Sequence, residues 1–196
     1  QQRRILITGC SSGMGLAVAL ALQTRGWQVF ATVRKTADIT RLQQLGLHNV
    51  LQMDMQDSSM IQATLAHILQ ITGGRLDALF NNAGYGQPGA VEDLPRAAMR
   101  EQFETNVFGA LELTNLVLPV MRQQGAGRII FNSSVLGFAA MPMRGAYNAS
   151  KFALEGLVDT LRLELHGSGI HACLLQPGPV LTRFRENSYP YFVKYI

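Results

Sequence analysis

Tyr147 and Lys151 stand four residues apart, and as a pair they could move a proton. On a helix, positions i and i+4 share one face with Cβ atoms about 5–6 Å apart, so a phenol and an ammonium placed there can cooperate. A free tyrosine titrates at about 10, too high for easy proton exchange at neutral pH. A neighbouring cation stabilises the phenolate and draws that value down. Many helices carry Tyr-x-x-x-Lys by chance, so the pair gains meaning only from its company. Ser134 lies thirteen residues upstream, at the end of an apolar run. Asn106 falls inside a helical pattern, where asparagine is a poor choice unless it has a tertiary task.

A second constellation opens the chain. Thr8-Gly9-Cys10-Ser11-Ser12-Gly13-Met14-Gly15 follows the first strand-like run and leads into the first helical one. Glycines let a backbone turn tightly and approach a pyrophosphate, and the helix N-terminus behind them offers free N–H groups and a favourable dipole. Gly9, Ser11, Ser12, Gly13, Met14 and Gly15 are therefore candidate dinucleotide contacts. The alternative is a glycine-rich turn without a ligand, but strand before and helix after favour the dinucleotide. Gly84-Tyr85-Gly86-Gln87-Pro88-Gly89 also has the Gly-x-Gly-x-x-Gly spacing. Pro88 removes an N–H there and the next helix starts only near Pro95, so this segment reads as an active-site loop.

Cofactor choice is expected at the end of the second strand. NAD sites commonly place an acidic residue there to bind the ribose 2′-hydroxyl. This chain has Val33 at that place, then Arg34-Lys35, and no acidic residue before Asp38. Arg34, helped by Ser12 and Lys35, suits a 2′-phosphate, so the expected cofactor is NADP(H). Asp54, closing the third strand, could accept from the adenine amino group or could cap a helix.

These residues need elements to hold them. Arg3–Thr8, Trp27–Val33, Asn49–Met53, Leu76–Phe80, Arg128–Asn132 and Ile170–Gln176 read as buried strands. Helical patterns run over Gly13–Arg25, Ser58–Ile71, Arg96–Gln123 and Ala146–His166. Strands apolar on both faces and alternating with helices imply an α/β fold: a doubly wound parallel sheet, in one domain over residues 1–196. In such a sheet the strand ends open on one crevice, where ligands bind.

Composition narrows the field. The 14 Arg and 3 Lys give a net charge of +4 but are scattered, with no run longer than two. A nucleic-acid partner is not expected, since a binder of that kind gathers its charge on a stripe. Cys10 and Cys173 are too few for a disulfide framework. No apolar run approaches the roughly 20 residues of a spanning helix, and no signal peptide opens the chain, so a cytoplasmic location is expected. The four histidines show no metal-ligand spacing, and no metal is expected.

Taken together, the Thr8–Gly15 loop, Asn81-Asn82-Ala83-Gly84, Asn106, Ser134, Tyr147-x-x-x-Lys151 and Pro177-Gly178-Pro179-Val180-Leu181-Thr182 resemble the short-chain dehydrogenase/reductase family. The loop spacing is similar to that of its compact branch, and with Ala31-Thr32-Val33-Arg34 it looks most like NADP-preferring 17β-hydroxysteroid, retinol and aldehyde/ketone reductases. The resemblance implies that Tyr147 is the general acid in reduction and base in oxidation, and that Ser134 bonds the substrate oxygen. It implies that Lys151 holds the nicotinamide ribose and lowers the Tyr147 pKa, and that Asn106 supports a water-linked proton path to Lys151. Asn82, Ala83 and Gly84 would back the adenosine side; Pro177, Gly178, Val180 and Thr182 would cover the nicotinamide amide. Helices such as Arg96–Gln123 and Ala146–His166 resemble those that pair family members into a homodimer or homotetramer.

Only 14 residues follow Thr182. The resemblance implies a substrate-covering helical segment there and then a seventh strand, so residues 183–196 are expected to begin that cover, with the strand missing. Tyr85, Val135, Leu136, Phe138, Met141, Met143 and Phe184 would line an apolar, adaptable pocket for a lipophilic aldehyde, ketone or alcohol. The expected function is an NADP(H)-dependent carbonyl or alcohol oxidoreductase. The alternatives are an NADPH-binding regulator without turnover and a structural subunit of a larger assembly.

Overall fold

The structure is a computed structural model and describes residues 2–196. Six short apolar runs form strands: β1 (Arg4–Ile7), β2 (Gln28–Val33), β3 (Asn49–Gln52), β4 (Ala78–Asn81), β5 (Gly127–Asn132) and β6 (Ile170–Leu175). All neighbours are parallel, in the order β3-β2-β1-β4-β5-β6. Alternation along each strand feeds two separate cores. Ile5, Ile7, Val29, Ala31, Val33 and Phe80 point to one face, and Leu6, Phe30, Leu79, Ile129 and Phe131 to the other.

Each face is covered by helices. α1 (Gly13–Thr24) and α2 (Ala37–Gln44) close the first with Ala19 and Leu42. α3 (Ser58–Thr72), α5 (Gly109–Gln124) and α6 (Gly145–Glu164) close the second with Ile61, Leu113 and Leu154. Asp57 caps α3 by accepting from the Met60 N–H at 3.0 Å. Gly73 and Gly125 end α3 and α5 in the left-handed region, which glycine alone enters freely. No helix among the described residues is long and apolar enough to cross a membrane.

The architecture is the expected doubly wound sheet in one domain, with two corrections to the elements. Arg96–Gln123, read as one helix, is α4 (Arg96–Phe103), a π-turn over Glu104–Phe108, and then α5. α2 escapes a periodicity reading because only Leu42 of its eight residues is buried. The last segment forms α7 (Phe184–Tyr195) in spite of Pro190 inside it. No strand among the described residues pairs with the free edge of β6.

Strand order reverses between β1 and β4, and the crevice that such a switch point creates lies beyond the carboxyl ends of the strands. Every motif from the sequence converges there.

Candidate active site

On the nucleotide side, the loop after β1 is braced from two directions. Cys10 N–H donates to the Thr32 carbonyl of β2 at 2.8 Å. Asn82, just past β4, donates from Nδ2 to the carbonyls of Thr8 and Gly9 at 2.9 and 3.1 Å. Thr8 Oγ1 accepts in return from the N–H groups of Asn82 and Ala83 at 3.0 and 2.9 Å. This closeness explains two glycines. A Cβ on Gly9, whose φ is +69°, would lie 2.7 Å from Ala83 Cα, and one on Gly15 only 2.6 Å from the Gly9 carbonyl oxygen. Asn82 and Ala83 are thus structural braces of the loop.

Ser12 precedes α1 in extended conformation, and no side chain caps the first-turn N–H groups. No acidic residue lies in that turn, and Met14 there is half-buried. The amides therefore face an open cavity of about 490 Å³ lined by Ser11, Ser12, Gly13, Arg41, Thr182 and Arg183 among others. Arg41 was not anticipated from sequence. It donates to the Ser11 carbonyl at 2.5 Å and pairs with Asp38 at 2.6 Å, so it steadies the loop while lining the cavity. The Asp38/Arg41 spacing of three was the available signal, on a helix of only eight residues.

Val33 is buried and carries no acid to the strand end. Arg34 beyond it donates from Nη1 to the Tyr191 hydroxyl of α7 at 2.7 Å. Asp54 accepts from the Gln56 N–H at 3.0 Å and does not cap α3, a task that falls to Asp57.

The chemistry side is built from β5, α6 and the π-turn. Tyr147 sits on the first turn of α6 and is largely buried, and Lys151 follows it on the same face at 5 % exposure. The Lys151 ammonium lies 5.5 Å from the centre of the Tyr147 ring and donates to the Asn132 carbonyl at the end of β5, at 2.6 Å. Burial draws the Lys151 pKa down to about 8, against the opposing pull of Glu155. Burial likewise raises the Tyr147 pKa; the Ser134 hydroxyl and the charge of Arg144 act the other way without overcoming it. In the protein alone, desolvation outweighs any lowering by Lys151, contrary to the simple expectation for the pair.

Asn106 lies in the π-turn, whose extra residue rotates it into the interior. Its Oδ1 accepts from Tyr85 N–H at 3.1 Å; its Nδ2 donates to the Tyr85 carbonyl at 2.9 Å and to Ser150 Oγ at 3.1 Å. It thereby fixes the Gly84–Gly89 loop against α6. Gly84 leaves room for it, since a Cβ there would come within 3.1 Å of Asn106 Oδ1.

α7 lies across this crevice. Phe184 meets Tyr147 edge-on at 5.4 Å between ring centres, and Tyr191 stacks on Tyr85 at 3.7 Å. Gly86 N–H donates to Ser188 Oγ at 3.3 Å, and Lys194 and Tyr195 both donate to Glu101, at 2.8 and 2.6 Å. Tyr85, expected to line an open pocket, is instead covered, at 5 % exposure. Phe138, Met141 and Met143 remain exposed beside the crevice, with Val135 and Leu136 half-buried behind them. Of the last motif, Pro177 O accepts from Val135 N–H at 3.1 Å, which ties the loop after β6 to the end of β5. Gly178 and Val180 are exposed, and Thr182 faces Gly13 across the cavity.

Comparison with known proteins agrees with this geometry. Residues 3–190 match the family model described as short chain dehydrogenase. The chain is 45% identical over 186 residues to the uncharacterized oxidoreductase YbbO of Escherichia coli K12, covering 95% of this chain and 69% of that protein. It is 40% identical over 191 residues to human retinol dehydrogenase 8, covering 93% of this chain and 60% of that protein. Among solved structures, a short chain dehydrogenase/reductase from Burkholderia phymatum in complex with NAD superposes with a TM-score of 0.89. That protein is 28% identical, with 95% of this chain and 69% of the other covered. From the match over residues 3–190 and the convergence of its motifs on one crevice, the chain belongs to the short chain dehydrogenase family of oxidoreductases.

Proposed function

We propose that this protein is an NADP(H)-dependent oxidoreductase that reduces a lipophilic aldehyde or ketone, or oxidises the corresponding alcohol. The observation that carries the reading is that Ser134, Tyr147 and Lys151 stand together at the carboxyl ends of the strands that also hold, after β1, a glycine loop and an uncapped helix N-terminus over a cavity. The residues fit a dinucleotide. Gly9 and Gly15 admit no side chain, the α1 amides are unclaimed by side chains, and Arg41 and Arg183 flank the space. Gly13, Ser11, Ser12 and Met14 would hold the phosphates, Arg34 a 2′-phosphate, Asp54 the adenine, and Pro177–Thr182 the nicotinamide end. A bound nicotinamide supplies or accepts the hydride, chemistry no side chain here can perform.

The chain's own part is the proton and its placement. Ser134 holds the carbonyl oxygen, and the Tyr147 phenol gives that oxygen a proton in reduction or removes one in oxidation. Lys151 places its charge where the phenolate forms, and Asn106 would support a water-linked proton path to Lys151 while holding Tyr85 against α6. α7 begins the cover over the substrate, and Phe138, Met141 and Met143 suit a lipophilic one. Phe152 and Leu163, exposed on α6, support assembly as a homodimer or homotetramer, and a cytoplasmic location suits the two free cysteines.

The test is Tyr147→Phe, assayed with a carbonyl and alcohol panel and both cofactors. General acid–base catalysis is worth roughly 10²–10⁴-fold, so kcat is expected to fall by about that factor while NADPH binding persists. A Tyr147→Phe protein that still turns over at the wild-type rate sinks the mechanism. A wild type that binds NADPH yet acts on no substrate supports the regulatory reading instead.

A further inference from the structure

We propose that Glu155 is a positioning residue that clamps the end of β5 and the loop after β6 onto α6, and so sets where Ser134 stands relative to Tyr147. The inference rests on the oxidoreductase reading for its kinetic consequence, but its geometry is independent of that reading.

Glu155 lies one further turn along the helix face that carries Tyr147 and Lys151. Its two carboxylate oxygens are taken by groups from two different strands' ends. Ser133 Oγ donates to Oε1, and Gln176 Nε2 donates to Oε2 at 2.7 Å. Ser133 is the immediate neighbour of Ser134, and Gln176 the immediate neighbour of Pro177. A single side chain thus holds the entry to both motifs.

The surroundings are shaped for it. Ser133 is 2 % exposed, and its N–H donates to the Leu175 carbonyl at 2.8 Å, which joins the two strand ends beside the carboxylate. Gly137 roofs the group: a Cβ there would lie 2.8 Å from both Glu155 Oε1 and Ser133 Oγ. Lys151 grips the preceding residue, Asn132, by its carbonyl at 2.6 Å. α6 therefore holds the last residue of β5 and the one after it, Asn132 through Lys151 and Ser133 through Glu155. Ser134, next in line, is left with its Oγ accepting from Leu136 N–H at 3.1 Å and its hydroxyl pulling the Tyr147 pKa down. Of two adjacent serines, the clamp occupies one and leaves the other for substrate.

The role predicts a specific ordering of variants. Glu155→Ala removes the clamp; Glu155→Gln keeps an acceptor for Ser133 and, with the Gln176 amide turned over, a partner for it as well. A reactant misplaced by about 1 Å can cost on the order of 10²-fold in rate. Expected is a ten- to hundredfold loss of kcat in Glu155→Ala with KM for NADPH little changed, and recovery to within about threefold in Glu155→Gln. In hydrogen-exchange mass spectrometry of the free protein, Glu155→Ala should exchange about tenfold faster or more in Val135–Gly137 and in residues 177–182. β1–β3 should stay at the wild-type rate, and Glu155→Gln should restore protection. The inference is overturned if exchange is unchanged, if it rises evenly over the whole chain, or if Glu155→Gln behaves like Glu155→Ala. It is likewise overturned if Glu155→Ala keeps wild-type kcat where Tyr147→Phe loses it. Should the wild type turn over no carbonyl, the oxidoreductase reading fails by itself and the exchange pattern still decides the clamp.

Discussion

Lys151 is an ammonium held at the bottom of the crevice, with 5 % of its surface exposed and a backbone carbonyl as its hydrogen-bond partner. Desolvation of that kind disfavours the charged form, and the pKa falls to about 8. The linkage has a definite sign. Below pH 8 both folded and unfolded chains carry the proton, and the folded state bears a constant cost. Between about 8 and the unfolded value of about 10.4 the unfolded chain still holds a proton that the folded one has released, so stability rises with pH in that window. We expect urea unfolding of wild type and Lys151→Met to diverge there, wild type gaining up to about 3 kcal/mol on the variant. A constant difference from pH 7 to 10.5 would refute the desolvated lysine. In the proposed mechanism that cost sets the charge 5.5 Å from the centre of the Tyr147 ring. At this scale the sequence was informative for Tyr147 and Lys151, whose spacing alone sets them on one face. It was silent on Glu155, equally well spaced, because nothing in a linear chain says that Ser133 and Gln176 will meet it.

Elements decide what the residues can reach. β2 ends at Val33, and Arg34 just beyond it is held by one guanidinium nitrogen on the Tyr191 hydroxyl of α7. Arginine keeps further donors in its fork for a phosphate. A charge-assisted hydrogen bond contributes roughly 1.5–3 kcal/mol. Arg34→Ala should therefore lower the preference for NADP over NAD by about ten- to hundredfold, read as the ratio of kcat/KM with the two cofactors; unchanged selectivity removes Arg34 from that role. The strands were legible because apolar residues fill both faces, and α1, α3 and α6 because their buried residues recur at helical spacing. α2 was not, since it is eight residues long and buries only Leu42. The π-turn left no sequence signal except Asn106 itself, an awkward residue whose reason is tertiary.

The whole molecule is divided by the ladder between β1 and β4, where Ile5 pairs with Ala78. On one side β1, β2 and β3 carry the phosphate loop and Arg34; on the other β4, β5 and β6 carry Ser134, the helix of Tyr147 and the last loop. The loop itself is braced across the divide by Asn82. Parallel ladders join only residues remote in the chain, and such contacts form late because closing long loops precedes any reward. A helix can form on its own within microseconds, whereas this seam must wait for much of the chain. On dilution from urea, helical circular dichroism is expected to return before NADPH binding, and NADPH binding to return together with turnover at one slow rate. An intermediate that binds NADPH well ahead of any turnover would show the halves maturing separately. The consequence expected of this seam is that binding and turnover share one clock, set by the pairing of β1 with β4.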